Sequence, residues 1–238
     1  MPPPPLPAVT VVIPVHNEAD YLPGALPELF KEMDLVKAAV TVVVAENGSS
    51  DATADLVRKA QETFANLELL ELATPDYGAA MREGFMQATT EWVALFDIDY
   101  FSGKFLSDAL NLSESADIVL ASKRADGADD RRGVTRRFAT WTFNQILKIV
   151  LASQVSDTHG MKLVRSDVVQ KIAPQVISTT DLFDTELVVR AERAGYRIAE
   201  LPASVEEMRN TRSSLIKRVP RTLSGVWAIR ASMRGGRG

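Results

Sequence analysis

The chain has 238 residues, 46% of them hydrophobic and 24% charged, the composition of a globular protein large enough to bury a sizeable core. A formal net charge of −4 argues against wholesale nucleic-acid binding, and the absence of cysteine excludes a disulfide framework and thiol chemistry. No apolar run reaches the ~20 residues of a membrane span. Met1-Pro2-Pro3-Pro4-Pro5 lacks the apolar core of a signal peptide, so a cytoplasmic location is the expectation.

Residues 1–7 read as a proline-rich tail. Val9-Thr10-Val11-Val12-Ile13-Pro14-Val15 is short and β-branched, a buried first strand. His16-Asn17-Glu18 follows, then a helical segment to about Met33. Thr41 to Ala45 reads as a second buried strand running into Glu46-Asn47-Gly48-Ser49-Ser50-Asp51. There Gly48 supplies turn freedom, and Ser50 or Asp51 can cap a helix starting near Ala52. Leu67 to Leu72 reads as a third strand and Tyr77 to Thr89 as a helix rich in small residues. The apolar strand beginning at Trp92 ends abruptly in Asp97 and Asp99. In a continuing strand, residues i and i+2 share a face. At the carboxyl end of a parallel strand that face opens on the crevice where α/β proteins bind ligands. Two hard oxygen ligands there suit Mg²⁺ or Mn²⁺ carrying a phosphorylated substrate, although Asp is equally ordinary in a solvated loop after a strand. With Ile118 to Ala121 as a further strand, the alternation predicts an α/β domain with a mostly parallel sheet flanked by helices.

The second half is less regular. Arg124 to Arg137 reads as a polar loop, Phe138 to Ala152 as a helix, and Val155 to Gly160 as a turn before a strand at Met161 to Val164. Phe183 to Ala194 reads as a helix ended by Gly195, and Tyr196 to Leu201 and Ser204 to Glu206 as strands. Ser213 to Met233 alternates basic and apolar residues at helical spacing, with Pro220 expected to interrupt it. From Met208 to Gly238 there are Arg209, Arg212, Lys217, Arg218, Arg221, Arg230, Arg234 and Arg237 and no acid. Such a segment either packs its apolar face on the domain or lies on an anionic bilayer. The predicted organisation is a tail over 1–7, one domain over 8–212, and a basic amphipathic helix and tail over 213–238.

Taken together, Val12-Ile13-Pro14-Val15-His16-Asn17-Glu18, Glu46-Asn47-Gly48-Ser49-Ser50-Asp51, Gly78-Ala79-Ala80 and Asp97-Ile98-Asp99 resemble the motifs of family 2 glycosyltransferases, which have the GT-A fold. Ser156 to Leu163, Phe183-Asp184-Thr185-Glu186-Leu187, Gly195-Tyr196-Arg197-Ile198 and Leu201-Pro202 are similar to the branch that makes dolichyl- or polyprenyl-phosphate glucose or mannose. The resemblance implies an inverting, metal-dependent hexosyltransferase using a UDP- or GDP-linked sugar. Pro14, His16, Glu18, Glu46 and Gly48 would hold the nucleoside. Asp97 and Asp99 would bind Mg²⁺ or Mn²⁺ bridging the diphosphate. Lys123, Arg136, Thr140 and Arg209 would hold the acceptor phosphate of a polyprenyl lipid. Asp184 and Glu186 would orient sugar hydroxyls or arginines, or act as base toward a hydroxyl acceptor. The sequence departs from the family pattern at Glu46-Asn47, where a pair of aspartates is usual, and at Phe101, where mannose synthases often carry Gln. The arginine-bearing C-terminal segment makes a peripheral membrane contact compatible with this reading. A glycosyltransferase acting on a small soluble acceptor and a non-catalytic nucleotide-sugar-binding relative are the alternatives. His159 and Asp157 are expected to organise the turn before the Met161 strand.

Overall fold

The structure, a computed structural model, describes residues 5–130, 134–179, 182–205 and 215–235. Its strands are β1 (Ala8–Val15), β2 (Ala39–Asn47), β3 (Leu67–Leu72), β4 (Trp92–Leu95), β5 (Ile118–Ser122), β6 (Asp129–Asp130), β7 (Lys162–Arg165), β8 (Ile198–Pro202) and β9 (Ser204–Val205). Seven of them form one sheet in the order β3-β2-β1-β4-β7-β5-β8, and β6 and β9 pair separately. Every pairing in the large sheet is parallel except those of β7, which runs against both β4 and β5. The predicted mostly parallel α/β architecture is the one adopted.

The sheet is covered on both faces, as its sequence requires. Strands buried on two sides read as unbroken apolar runs rather than alternating ones. Val9, Val11, Ile13 and Val15 of β1 enter one core with α1 (Leu22–Met33), α2 (Thr53–Gln61) and α4 (Gly103–Leu110). Val12 faces the other core, with α3 (Tyr77–Gln87), α6 (Ser166–Ile172) and α7 (Phe183–Arg193). A third, smaller cluster joins α5 (Val134–Leu151), α7 and α8 (Leu215–Gly235) through Leu147, Leu151, Val189, Val226 and Ile229. Burial of side chains like these contributes roughly 1.5–3 kcal/mol each.

The sequence reading needs correction in several places. Within the segment read as a loop, Asp129–Asp130 pairs with Ser204–Val205 and α5 already begins at Val134. Helix α5 stops at Leu151, where Ala152 takes a left-handed φ of +53°. Pro220 does not interrupt α8, which continues through it. Pro220 lies in the second turn, where its missing N–H removes a single hydrogen bond, and the later turns are held by Val226 and Ile229. Helices α4 and α6 were not foreseen, although Ser102 caps α4 by accepting a hydrogen bond from the Phe105 amide at 3.1 Å.

Candidate active site at the carboxyl edge of the sheet

The parallel register puts the ends of β1, β2 and β4 side by side, with Val15 opposite Glu46 and Val12 opposite Leu95. Beyond β4 the chain does not continue as a strand. Asp97 and Tyr100 exchange backbone hydrogen bonds of 3.2 and 2.9 Å, closing a tight turn with Ile98 and Asp99 at its corner. The two carboxylates therefore come together through a turn, and strand alternation is not the cause. Ile98 anchors that turn in the core at 4% exposure.

Asp97 is the strained charge of this region. Burial, then the neighbouring carboxylates of Asp184 and Asp99, push its pKa up to about 6 from 3.8, against weaker opposing effects of Lys162 and a hydrogen bond from Tyr77. The Tyr77 hydroxyl donates to Asp97 Oδ1 at 3.2 Å. Tyr77 opens α3, whose start is capped by Asp76 accepting from the Ala79 amide at 2.9 Å. The Asp76 amide in turn donates to Asn47 Oδ1 at 2.6 Å, tying α3 to the end of β2. The second residue of α3 must be glycine. A Cβ on Gly78 would lie 2.5 Å from the carbonyl carbon of Thr179, and the Gly78 amide donates to the Thr179 carbonyl at 3.0 Å.

The loops after β1 and β2 are bound to each other. His16 Nδ1 donates to the Asn47 carbonyl at 2.8 Å, which leaves Nε2 to accept from the Asn17 amide group at 3.1 Å. The Asn17 amide donates to Ser49 Oγ at 2.9 Å, and Asn17 Oδ1 accepts from the Ser50 amide at 2.9 Å. The Glu18 amide donates to Thr53 Oγ1 at 2.9 Å. Glu46, 4% exposed, accepts from the Ser49 amide at 2.5 Å. Gly48 adopts φ +61°, where a Cβ would meet Pro75 at 2.9 Å. Pro14 is buried within β1 opposite Ala45. The five residues predicted for the nucleoside thus lie together at the carboxyl ends of β1 and β2, in loops hydrogen-bonded to each other.

On the other side of Asp97, the turn before β7 carries a buried charge network. Lys123 Nζ donates to Asp157 Oδ2 at 2.9 Å and to the His159 carbonyl at 3.0 Å. Asp157 also accepts from the His159 amide, so it is the loop anchor. Glu200 accepts from the Ser156 amide and hydroxyl at 2.8 Å each, and Asn144 donates to the Ser156 carbonyl at 2.5 Å. Burial holds the His159 pKa below 6.5, against the raising influence of Asp184 and Asp157. Its ring meets Phe143 edge-on, with centroids 5.5 Å apart.

The two acids of α7 stand differently. Glu186 is fully buried, and its oxygens accept from the amides of Ile177 and Ser178, the Ser178 hydroxyl and Arg190. Asp184 accepts from Lys162 Nζ at 2.8 Å through Oδ2, and its buried Oδ1 has no partner among the described residues. Arg136 and Thr140 belong to the first turns of α5, but their side chains lie outside the described residues, as does all of Arg209. Tyr77, Lys162 and Asn144 were missed by sequence reasoning. Beside Asp99 opens a cavity of about 630 Å³, walled by Tyr100, Phe101, Phe105, Met161 and Leu201. This opening lies at the start of α4.

Residues 10–173 match the model of glycosyl transferase family 2. The chain belongs to that family. This glycosyltransferase is 26% identical over 220 residues to the glycosyltransferase AglD of Haloferax volcanii, covering 88% of this chain but 35% of that protein. It is 28% identical over 199 residues to an uncharacterized glycosyltransferase of Mycobacterium bovis, covering 83% of this chain and 84% of the relative. Solved structures share its fold. The mannosyltransferase PcManGT from Pyrobaculum calidifontis, in complex with GDP-Man and Mn²⁺, superposes with a TM-score of 0.69 at 23% identity over 98% of this chain and 66% of its own. Glucosyl-3-phosphoglycerate synthase from Mycobacterium tuberculosis, in complex with Mn²⁺, UDP and glucosyl-3-phosphoglycerate, gives 0.65 at 14% identity over 94% and 78%.

Proposed function

We propose that the enzyme transfers a hexose from a UDP- or GDP-linked donor to a polyprenyl or dolichyl phosphate with inversion, using Mg²⁺ or Mn²⁺. The observation that carries the metal reading is the buried carboxylate of Asp97, whose pKa is raised first by burial and then by the charges of Asp184 and Asp99, a cost that a bound cation would relieve. The donor set fits a phosphate-bridged ion. Among the described residues no cluster of three or more acidic or histidine side chains could hold a metal alone. Such an ion is ordinarily held by one or two carboxylates with substrate phosphates completing the shell. Asp97 and Asp99 would hold it, and when bound it supplies Lewis-acid neutralisation of the departing nucleoside diphosphate.

The chain's own residues do the rest. Glu46, 4% exposed at the end of β2, would accept from a base N–H, and the bonded loops carrying His16 and Glu18 would fix the nucleoside. Asp184 Oδ1 would accept from a sugar hydroxyl. A phosphate acceptor is already anionic and needs positioning rather than a strong base; Arg136, Thr140 and Arg209 are proposed for that task. The ammonium of Lys123 bonds to Asp157 and the His159 carbonyl, so it supports the acceptor side chiefly by fixing that turn.

What supports a lipid acceptor is the C-terminal helix. It exposes Arg221 and Arg234 and leaves Trp227 59% exposed, and no helix among the described residues is long and apolar enough to cross a membrane. Peripheral contact with an anionic membrane follows from this reading. A second reading, a soluble phosphorylated acceptor, is favoured by structural neighbours that are glucosyl- and mannosyl-3-phosphoglycerate synthases. A turnover screen separates the two. Purified protein with Mn²⁺ is given UDP-glucose or GDP-mannose, with polyprenyl phosphate, with 3-phosphoglycerate, or with neither, and nucleoside diphosphate release is followed. Release that requires the lipid supports the proposal; release that requires 3-phosphoglycerate replaces the acceptor; silence with every donor refutes the enzymatic reading.

A further inference from the structure

Lys162 is the first residue of β7 and is fully buried. Burying an ammonium is costly unless its protons are taken by good acceptors. Lys162 Nζ donates to the Gly160 carbonyl at 2.9 Å and to Asp184 Oδ2 at 2.8 Å. The Gly160 carbonyl is presented by a backbone at φ +111°, a conformation that side-chain-bearing residues rarely adopt.

A purely structural ion pair normally has its carboxylate closed on both sides, because an unpartnered buried oxygen is destabilising. Glu186, two residues further along the same helix, meets that standard with four donor groups. Asp184 does not: it is 5% exposed, and Oδ1 has no partner among the described residues. The neighbouring side chain is fixed, since Thr185 Oγ1 lies 2.9 Å from Thr158 Oγ1. Gly160, whose carbonyl Lys162 holds, sits against the Tyr100 ring, 3.4 Å from where a Cβ would stand, and Tyr100 pairs with Asp97, so the Lys162–Asp184 pair stands beside the Asp97 turn, where the charge of Asp184 bears on Asp97.

We propose that Lys162 is a positioning residue for the transfer: it grips Asp184 through Oδ2 so that Oδ1 is held, unspent, for a hydroxyl of the bound sugar. This rests on the donor reading given above. Because Lys162 does not itself touch substrate, its effect runs wholly through Asp184.

The test is a double-mutant cycle with Lys162→Met, Asp184→Asn and the combined variant, using the donor and acceptor that the wild-type enzyme turns over with Mn²⁺. The expected result is a kcat lowered on the order of 10–100-fold by Lys162→Met, as for supporting groups around other reactive sites, with the donor KM changed less than about threefold. Asp184→Asn lowers kcat by a similar or larger factor. The combined variant, in which no charge is left buried alone, matches Asp184→Asn within about twofold. The combined variant also covers the case in which Lys162→Met fails to fold. A Lys162→Met enzyme with wild-type kcat, or a combined variant lower than Asp184→Asn by about the full Lys162→Met factor, overturns the proposal. Those results leave the transferase reading standing, whereas a wild-type protein that turns over no donor removes both.

Discussion

Asp97→Asn is expected to stabilise the metal-free protein at neutral pH. The folded environment raises the Asp97 pKa from 3.8 to about 6 through burial and then through Asp184 and Asp99. A carboxyl that holds its proton more tightly when folded favours the folded state at low pH. That advantage declines as pH rises from about 4 to about 6, and above 6 the folded state carries the whole cost of ionisation. A shift of about two units corresponds to about 3 kcal/mol at most, and the partial exposure of Asp97 reduces this to roughly 1–3 kcal/mol. Asparagine keeps an oxygen for the Tyr77 hydroxyl, so the hydrogen bond survives the change. Urea unfolding in EDTA at a series of pH values from 4.5 to 8 reads the effect. Wild type should lose stability relative to the variant up to about pH 6 and remain the less stable above it. Added Mn²⁺ should then raise the wild-type midpoint more than the variant's. A variant less stable than wild type at pH 7.5 in EDTA, or parallel pH profiles for the two, would refute the reasoning.

Asp117 acts in the opposite sense. Its pKa is held down to about 2, chiefly by the Arg197 hydrogen bond, so the stabilisation is complete above about pH 4 and is lost as pH falls toward 2. Asp117→Asn should flatten the acid limb of a thermal-midpoint profile. Glu186→Gln removes the charge facing Arg190 in a fully buried position and should cost on the order of 3 kcal/mol in denaturant unfolding; a loss below 1 kcal/mol would contradict the anchoring role. Gly78→Ala places a methyl 2.5 Å from the Thr179 backbone and should cost about 1–3 kcal/mol while lowering kcat through Tyr77. Asp99→Ala should abolish metal-dependent transfer, and retained turnover with Mn²⁺ would sink the metal assignment.

The first half of the fold was legible because its strands are short apolar runs with no helical period, as in Val9 to Val15 and Trp92 to Leu95. Strand direction was not legible for Lys162–Arg165, since four residues carry no mark of the neighbours against which they will pair. The two-residue ladder of Asp129 with Ser204 joins positions far apart in the chain, which no local pattern can announce. The same separation explains the site. Asp97, Asp99 and Glu46 stand at the ends of strands that could be recognised. Tyr77 and Lys162 act through partners twenty residues or more away, and each looked like a routine element boundary. Glu186 was read as a peer of Asp184 because spacing on a helix does not reveal which acid has all its oxygens filled.

The seam between α7 and α8 has a practical consequence. Arg190 joins Glu186 to Ser232, at 2.8 Å on the α8 side, while Val226 and Ile229 cover Leu147, Leu151 and Val189. Ending expression of the chain at residue 214, as one would to discard a basic tail, would uncover that apolar cluster and free one side of an arginine whose other side steadies Glu186. The shortened protein would expose an aggregation-prone surface, and its lost activity would not separate a packing role of the helix from a lipid-contact role. Single replacements on the exposed face, such as Trp227→Ser, separate the two roles where truncation cannot.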